Sequence, residues 1–156
     1  MSLAEKDTNF FSKLSRRDKR ALIFHLLYAA ESFNYEISLA SIVDNFNRGF
    51  GLDIPLDSNI LKITQAVIDD KAQLDKKIEA LLDNWRLERI GVCTKLILRL
   101  SIWEIENTDI ASNIIINEAI ELAKCFSEKD AYRFVNGILD EICSENEQKE
   151  VDTTKD

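Results

Sequence analysis

Four cations stand at helical spacing near the amino end of the chain. Lys13, Arg16, Arg17 and Arg20 occupy i, i+3, i+4 and i+7, which on an α-helix makes one stripe of positive charge. Lys19 adds charge beside the stripe and Asp18 removes some. A basic stripe at one end of an acidic protein suits an anionic partner. An ordinary solvated helix face has the same composition, and spacing alone does not separate the two.

The other chemistry-bearing residues point away from catalysis. His25 is the single histidine, and no GxSxG, HxxxH or Cys–His signature frames it as a general base. The acids Asp69, Asp70, Glu104 and Glu106 read as surface pairs on helices rather than metal ligands. Gly49 and Gly51 lack the strand, the lysine and the third glycine of a phosphate-binding loop. Cys93, Cys125 and Cys143 are odd in number and contain no CxxC pair, so the expectation is reduced thiols with no disulfide framework and no zinc site. Neither a catalytic residue nor a cofactor is expected. Trp85 and Trp103 are expected to anchor a core rather than to stack on bases.

The stripe runs into Ala21-Leu-Ile-Phe-His-Leu-Leu-Tyr28, which is apolar around more than one face. Such a helix is either deeply buried or docked to a partner on its second face. The amphipathic ring of Tyr28 suits an interface and equally suits a core edge with its hydroxyl in water.

Composition bounds what can hold these residues. The chain has 156 residues, of which 46% are hydrophobic and 31% charged, with one proline and four glycines. That is a globular balance with long stretches free of helix breakers, and the length fits one ordinary domain. A net charge of −8 disfavours coating of nucleic acid by bulk electrostatics. Seven acids and two lysines fall in residues 140–156, so local patches outweigh the total. Residues 1–14 lack the apolar region of a signal peptide, and the longest uncharged apolar-rich run, Ile110–Asn117, is too short to span a bilayer. The expectation is a cytoplasmic protein with no membrane partner.

Periodicity predicts an all-α fold, a compact bundle of about seven helices. Ser15 caps the first helix, Arg16–Ser32, with Asp18 completing an acidic capping box. Helices follow over Leu39–Arg48, from Asp57 or Ser58 onward with a boundary near Asp70–Gln73, over Ile90–Glu106, from Asp109 or Ser112 to about Phe126, and over Ala131–Cys143. Gly49–Pro55 breaks the pattern, and a second capping-box-like start is expected at Ser127 with Asp130. The β-branched run Ile114-Ile-Ile116 is assigned to helix because its flanks have helical period. Residues 1–14 are expected as a flexible extension, 15–143 as the helical domain and 144–156 as a flexible acidic tail. Ala119, Ile120, Ala123 and Phe126 are read as one apolar stripe, and Phe134, Ile138 and Ile142 as another. Asn117 and Asn136 are read as amides tying backbone between elements, and Gly137 as making room for a neighbouring helix.

The second half also carries a recognisable pattern. Ile116-Asn-Glu-Ala-Ile-Glu-Leu-Ala-Lys124, then Phe126, then Phe134-Val-Asn-Gly137 with Leu139-Asp140, resembles the NusB family. Leu87-Glu-Arg89, Ile97-Leu-Arg-Leu100 and Trp103-Glu104 look like that family's preceding helix. Arg16-Arg17, Arg20 and Leu27-Tyr28 look like its arginine-rich first helix. The resemblance spans about residues 14–142, with 32–84 matching only in helical character. It implies a NusB-like helical fold and a non-enzymatic transcription antitermination factor. Such a factor binds boxA-type single-stranded RNA of nascent transcripts, notably those of ribosomal RNA operons. It does so with the ribosomal protein NusE, within an RNA polymerase antitermination complex. By this resemblance Arg16, Arg17 and Arg20, joined by Lys13, meet RNA; Asp130, Arg133 and Phe134 lie beside it; and Tyr28 faces the protein partner.

Three departures stand out. Asp18 replaces a basic residue, Ala111 replaces a proline before the sixth predicted helix, and Thr94 falls where the family has a partner-contacting glutamate. Two other functions fit a NusB-like chain: a helical protein-interaction module without RNA affinity, and a stand-alone relative of the RNA-binding domain of ribosomal RNA cytosine methyltransferases. The chain as given has no room for the catalytic part of the latter.

Overall fold

Helix-forming segments follow one another along most of the chain, and a computed structural model describes how residues 14–83 and 86–154 use them. Among the described residues there are seven α-helices, one 3-10 turn and no strand. The helices are α1 Arg16–Ser32, α2 Leu39–Phe50, α3 Asn59–Asp69, α4 Lys71–Glu79, α5 Val92–Asn107, α6 Ser112–Phe126 and α7 Ala131–Thr153, with the 3-10 turn at Leu87–Arg89. The predicted all-α class is thus the observed one, and α1 runs over the expected residues. Lys13 and Trp85 lie outside the described residues.

The chain divides into two compact units, residues 1–69 and 70–156. The division falls between α3 and α4, whereas the sequence reads as one helical domain over 15–143. In the first unit α1 packs against α2 and α3. Ser15 caps α1 as expected: its Oγ accepts from the Asp18 N–H at 3.1 Å and donates to the Asp18 carboxylate at 2.8 Å. Ile23, Phe24, Leu26, Leu27 and Ala30 of α1 are buried, together with Ile42 and Val43 of α2 and Ile60, Leu61 and Val67 of α3. Gly51, in the left-handed region at φ 62°, ends α2, a conformation that costs glycine nothing. The Asn47 amide then holds the following loop by accepting from the Ile54 N–H at 2.8 Å and donating to its carbonyl.

In the second unit α5 is the central element and packs against α4, α6 and α7. Leu96, Ile97, Leu98, Leu100 and Ile102 are all buried, so α5 is apolar on nearly every side, as a core helix must be. Arg99, 6% exposed on its side chain, reaches α4 through two 2.7 Å bonds to the Asp75 carboxylate. That bidentate geometry satisfies a cation that would otherwise be costly to bury. Lys77 of α4 pairs with Glu106 of α5 at the more open end. Thr94 and Ser127 join the start of α5 to the end of α6.

Several expected details differ. The buried stripe of α6 is Ile115, Ala119, Leu122 and Ala123, whereas Phe126 is exposed. Gly137 is exposed, and an added Cβ there would meet nothing within 4 Å, so no neighbouring helix requires a glycine. Asn117 is exposed and Asn136 half-buried; Asn47 is the amide that ties backbone. α7 continues well beyond Cys143 to Thr153, with Val151 exposed on it, in the stretch read as tail. Asp130 does not act as a capping-box partner. It sits in the left-handed region at φ 68° just before α7, and its side chain makes no cap. An aspartate tolerates that conformation better than most side chains.

Candidate nucleic-acid interface

The first patch is the amino end of α1. Arg16 and Arg17 are its first two helical residues and both are exposed, beside half-buried Lys19 and exposed Asp18. The free N–H groups of a helix start carry partial positive charge, so cations placed there make a site doubly favourable to an anion. Arg20 does not join them in solvent: it is 3% exposed. Its place was legible in the sequence, since Arg20, Phe24 and Leu27 follow i, i+4, i+7 and the latter two are core residues. A stripe drawn through the arginines alone hid this. The reading of Arg20 as an exposed member of the stripe is corrected: its side chain is buried.

Further along α1, Tyr28 is 46% exposed and Phe33, just past the helix end, is exposed too. The second face of α1 therefore does carry aromatic surface. His25 sits edge-on to Phe24, with ring centroids 5.6 Å apart, and partial burial holds its pKa below the ordinary histidine value.

The second patch surrounds the start of α7, in the other unit. Arg133 is exposed, and its Nε donates to the Tyr132 hydroxyl at 3.2 Å. Its guanidinium carbon lies 5.7 Å from the centre of the Tyr132 ring, and the Lys124 ammonium, arriving from α6, lies 5.1 Å from the same centre. Both distances fall within cation–π range. The bond to Tyr132, reinforced by the charges of Tyr132 and Asp130, raises the pKa of Arg133. Phe134, half-buried, lines a cleft of about 220 Å³ with Arg89, Ile90, Gly91, Thr94, Glu128 and Ala131. The fold thus gathers Asp130, Arg133 and Phe134 at one helix start and Arg16 and Arg17 at another.

This geometry sits in a chain whose residues 17–144 match the model of the NusB family. The chain belongs to the NusB family. It is 39% identical over 143 residues to a transcription antitermination protein NusB of Geotalea daltonii, covering 87% of this chain and 99% of that one. It is 35% identical over 129 residues to the protein of the same name from Staphylococcus carnosus, covering 83% and 99%. Its fold is similar to a solved T. maritima NusB structure, with a TM-score of 0.72 at 30% identity, covering 85% of this chain and 93% of that one.

Within this NusB-family frame, sequence reasoning missed four residues of the second patch: Arg89, Lys124, Glu128 and Tyr132. Lys124 ends the segment Ile116–Lys124 that carries the family resemblance, but only the fold sets it against Tyr132 from another helix. Thr94 is 4% exposed, and its hydroxyl is hydrogen-bonded to Ser127 Oγ at 3.1 Å. Its side chain is engaged inside the protein. Among the described residues no cluster of three or more His, Cys, Asp or Glu is placed to hold a metal, and no helix is long and apolar enough to cross a membrane. Cys93, Cys125 and Cys143 are free.

Proposed function

We propose that this protein is a cytoplasmic transcription antitermination factor. It binds boxA-type RNA of nascent transcripts, notably those of ribosomal RNA operons, jointly with the ribosomal protein NusE in the RNA polymerase antitermination complex. The relatives' names support the process. The observation that carries the reading is the pair Arg16 and Arg17, exposed at a capped helix start in a NusB-family chain. Arg133 and Phe134 add a cation and an aromatic ring at a second helix start, the combination that single-stranded RNA recognition uses. Tyr28 offers the ring for the protein partner. The protein acts by positioning rather than by chemistry and needs no cofactor.

A net charge of −8 opposes a polyanion, so RNA affinity of the chain alone is expected to be weak. Joint binding supplies the missing contacts. A gel shift with boxA-type RNA, with and without NusE, tests the reading. A stronger shift with the partner supports it. RNA affinity unchanged by the partner refutes the joint mechanism, and partner binding with no RNA affinity in either state marks a protein-interaction module.

A further inference from the structure

The cleft beneath Phe134 has the size and chemistry of a site for one flat, polar-edged ring. At about 220 Å³ it falls below the roughly 300–1,000 Å³ of pockets for drug-sized ligands. Its walls come from three places: the 3-10 turn and helix start at Arg89, Ile90, Gly91 and Thr94, the α6–α7 turn at Glu128, and the first turn of α7 at Ala131 and Phe134. Phe134 supplies an aromatic surface.

The cleft's charged groups are one acceptor, Glu128, and one donor, Arg89. The Thr94 hydroxyl is paired with the Ser127 hydroxyl at 3.1 Å and nearly buried, so it offers the cleft little. The Glu128 carboxylate is acceptor-only. It lies so close to the Gly91 backbone that an added Cβ would stand 2.9 Å from its Oε1. The glycine is what lets the carboxylate lie where it does. Arg89 is the one charged donor of the lining.

We propose that this cleft takes a single nucleobase splayed out of the bound single-stranded RNA, and that guanine is the base it fits. The inference rests on the RNA-binding reading above and adds a base-specific subsite to it. Guanine presents two adjacent donors, its ring N–H and its amino group, to a carboxylate, and two acceptors on its other edge to an arginine. Uracil, cytosine and adenine each offer that carboxylate fewer donors. Lys124 at the end of α6 and Arg133 in the first turn of α7, both held against Tyr132, are cations that can serve the phosphates flanking a splayed base.

The test uses the full chain with NusE and fluorescently labelled boxA-type RNA, read by anisotropy. Each guanine is replaced in turn by inosine, which lacks the amino group, and by an abasic site. One position is expected to lose at least about fivefold in affinity on inosine replacement, the lower end of what a bidentate base contact discriminates. Glu128→Gln and Gly91→Ala should weaken the parent RNA by a similar factor and largely abolish that penalty. Both variants should fold: Glu128 is exposed, and the Gly91 φ of −56° is ordinary for alanine. Arg16→Ala is the control and should weaken all the RNAs equally. If Arg16→Ala weakens binding while both cleft variants match the parent on every RNA, the cleft proposal is overturned and the RNA-binding reading stands. If the parent binds no RNA with its partner, that reading falls and the subsite with it. Loss of partner binding with RNA contacts intact would assign the cleft to protein and overturn the proposal.

Discussion

Replacing Arg16 and Arg17 together by alanine separates a working basic site from a solvated helix face, because the structure predicts opposite signs for stability and binding. Both side chains are exposed, at the first two positions of α1. Cations there oppose the helix dipole, each by about 0.3–1 kcal/mol, and alanine is the best helix former. The double variant should therefore fold with unchanged or slightly raised stability. Removing one phosphate-neutralising cation from a complex with single-stranded RNA lowers the slope of log affinity against log salt by about 0.7, so removing two lowers it by about 1.4. Affinity measured with NusE between about 50 and 200 mM salt should fall most at the low-salt end. Arg20→Ala is the contrasting variant. Arg20 is buried, and removing its packed stem and charge should cost about 1–3 kcal/mol of stability while leaving the salt slope of the folded protein near the parent value. A normally folded Arg16/Arg17 variant with unchanged affinity and slope would refute the site assignment, leaving family membership untouched.

Tyr28→Ala should weaken NusE binding by more than it weakens RNA binding in the absence of the partner, with little loss of melting temperature because the ring is nearly half in water; calorimetric titration against NusE checks it. His25 has a folded-state pKa below its ordinary value, so the unfolded chain binds the extra proton first. Stability should fall as pH drops through about 6.5, and urea midpoints at pH 7.5 and 5.5 should converge more closely in His25→Gln than in the parent. Gly137→Ala should raise stability by about 1 kcal/mol, since a Cβ meets open space there; an unfolding midpoint below the parent's would contradict that geometry.

The helices were legible because their signals are local. Ser15 followed by Asp18, the apolar period of Ile23, Phe24 and Leu27, and the proline and glycines of 49–55 each act within one or two turns. The continuation of α7 to Thr153 was not legible, because its polar, acidic sequence has weak apolar period and reads the same as a solvated tail. The helix boundary after Asp69 was legible, near Asp70–Gln73; what stayed hidden was that a compact unit ends there. The break between α3 and α4 is a single residue, Asp70, carrying neither glycine nor proline, and only the packing of α4 on α5 reveals where the second unit starts. Gly137 shows the reverse error: a residue read from its intrinsic cost was assigned a neighbour that the fold does not supply.

The site divides along the same line. Arg16 and Arg17 could be found from one helix's sequence, and so could Phe134 once its motif was seen. Arg20 required two periodic patterns on one helix to be weighed together: the charged stripe and the apolar one cross at that residue, and burial decides in favour of the apolar one. The cleft required three separated segments, 89–94, 128 and 131–134, to be brought to one place. No spacing rule reaches across that separation. Gly91 and Glu128 are ordinary residues until the fold sets a carboxylate 2.9 Å from the position a side chain would occupy. Single-helix features can then carry affinity, which needs only charge in the right neighbourhood, while discrimination between bases depends on groups converging from different elements. If both proposals hold, Arg16 and Arg17 supply the sequence-independent contacts, and Glu128 and Phe134 the selectivity.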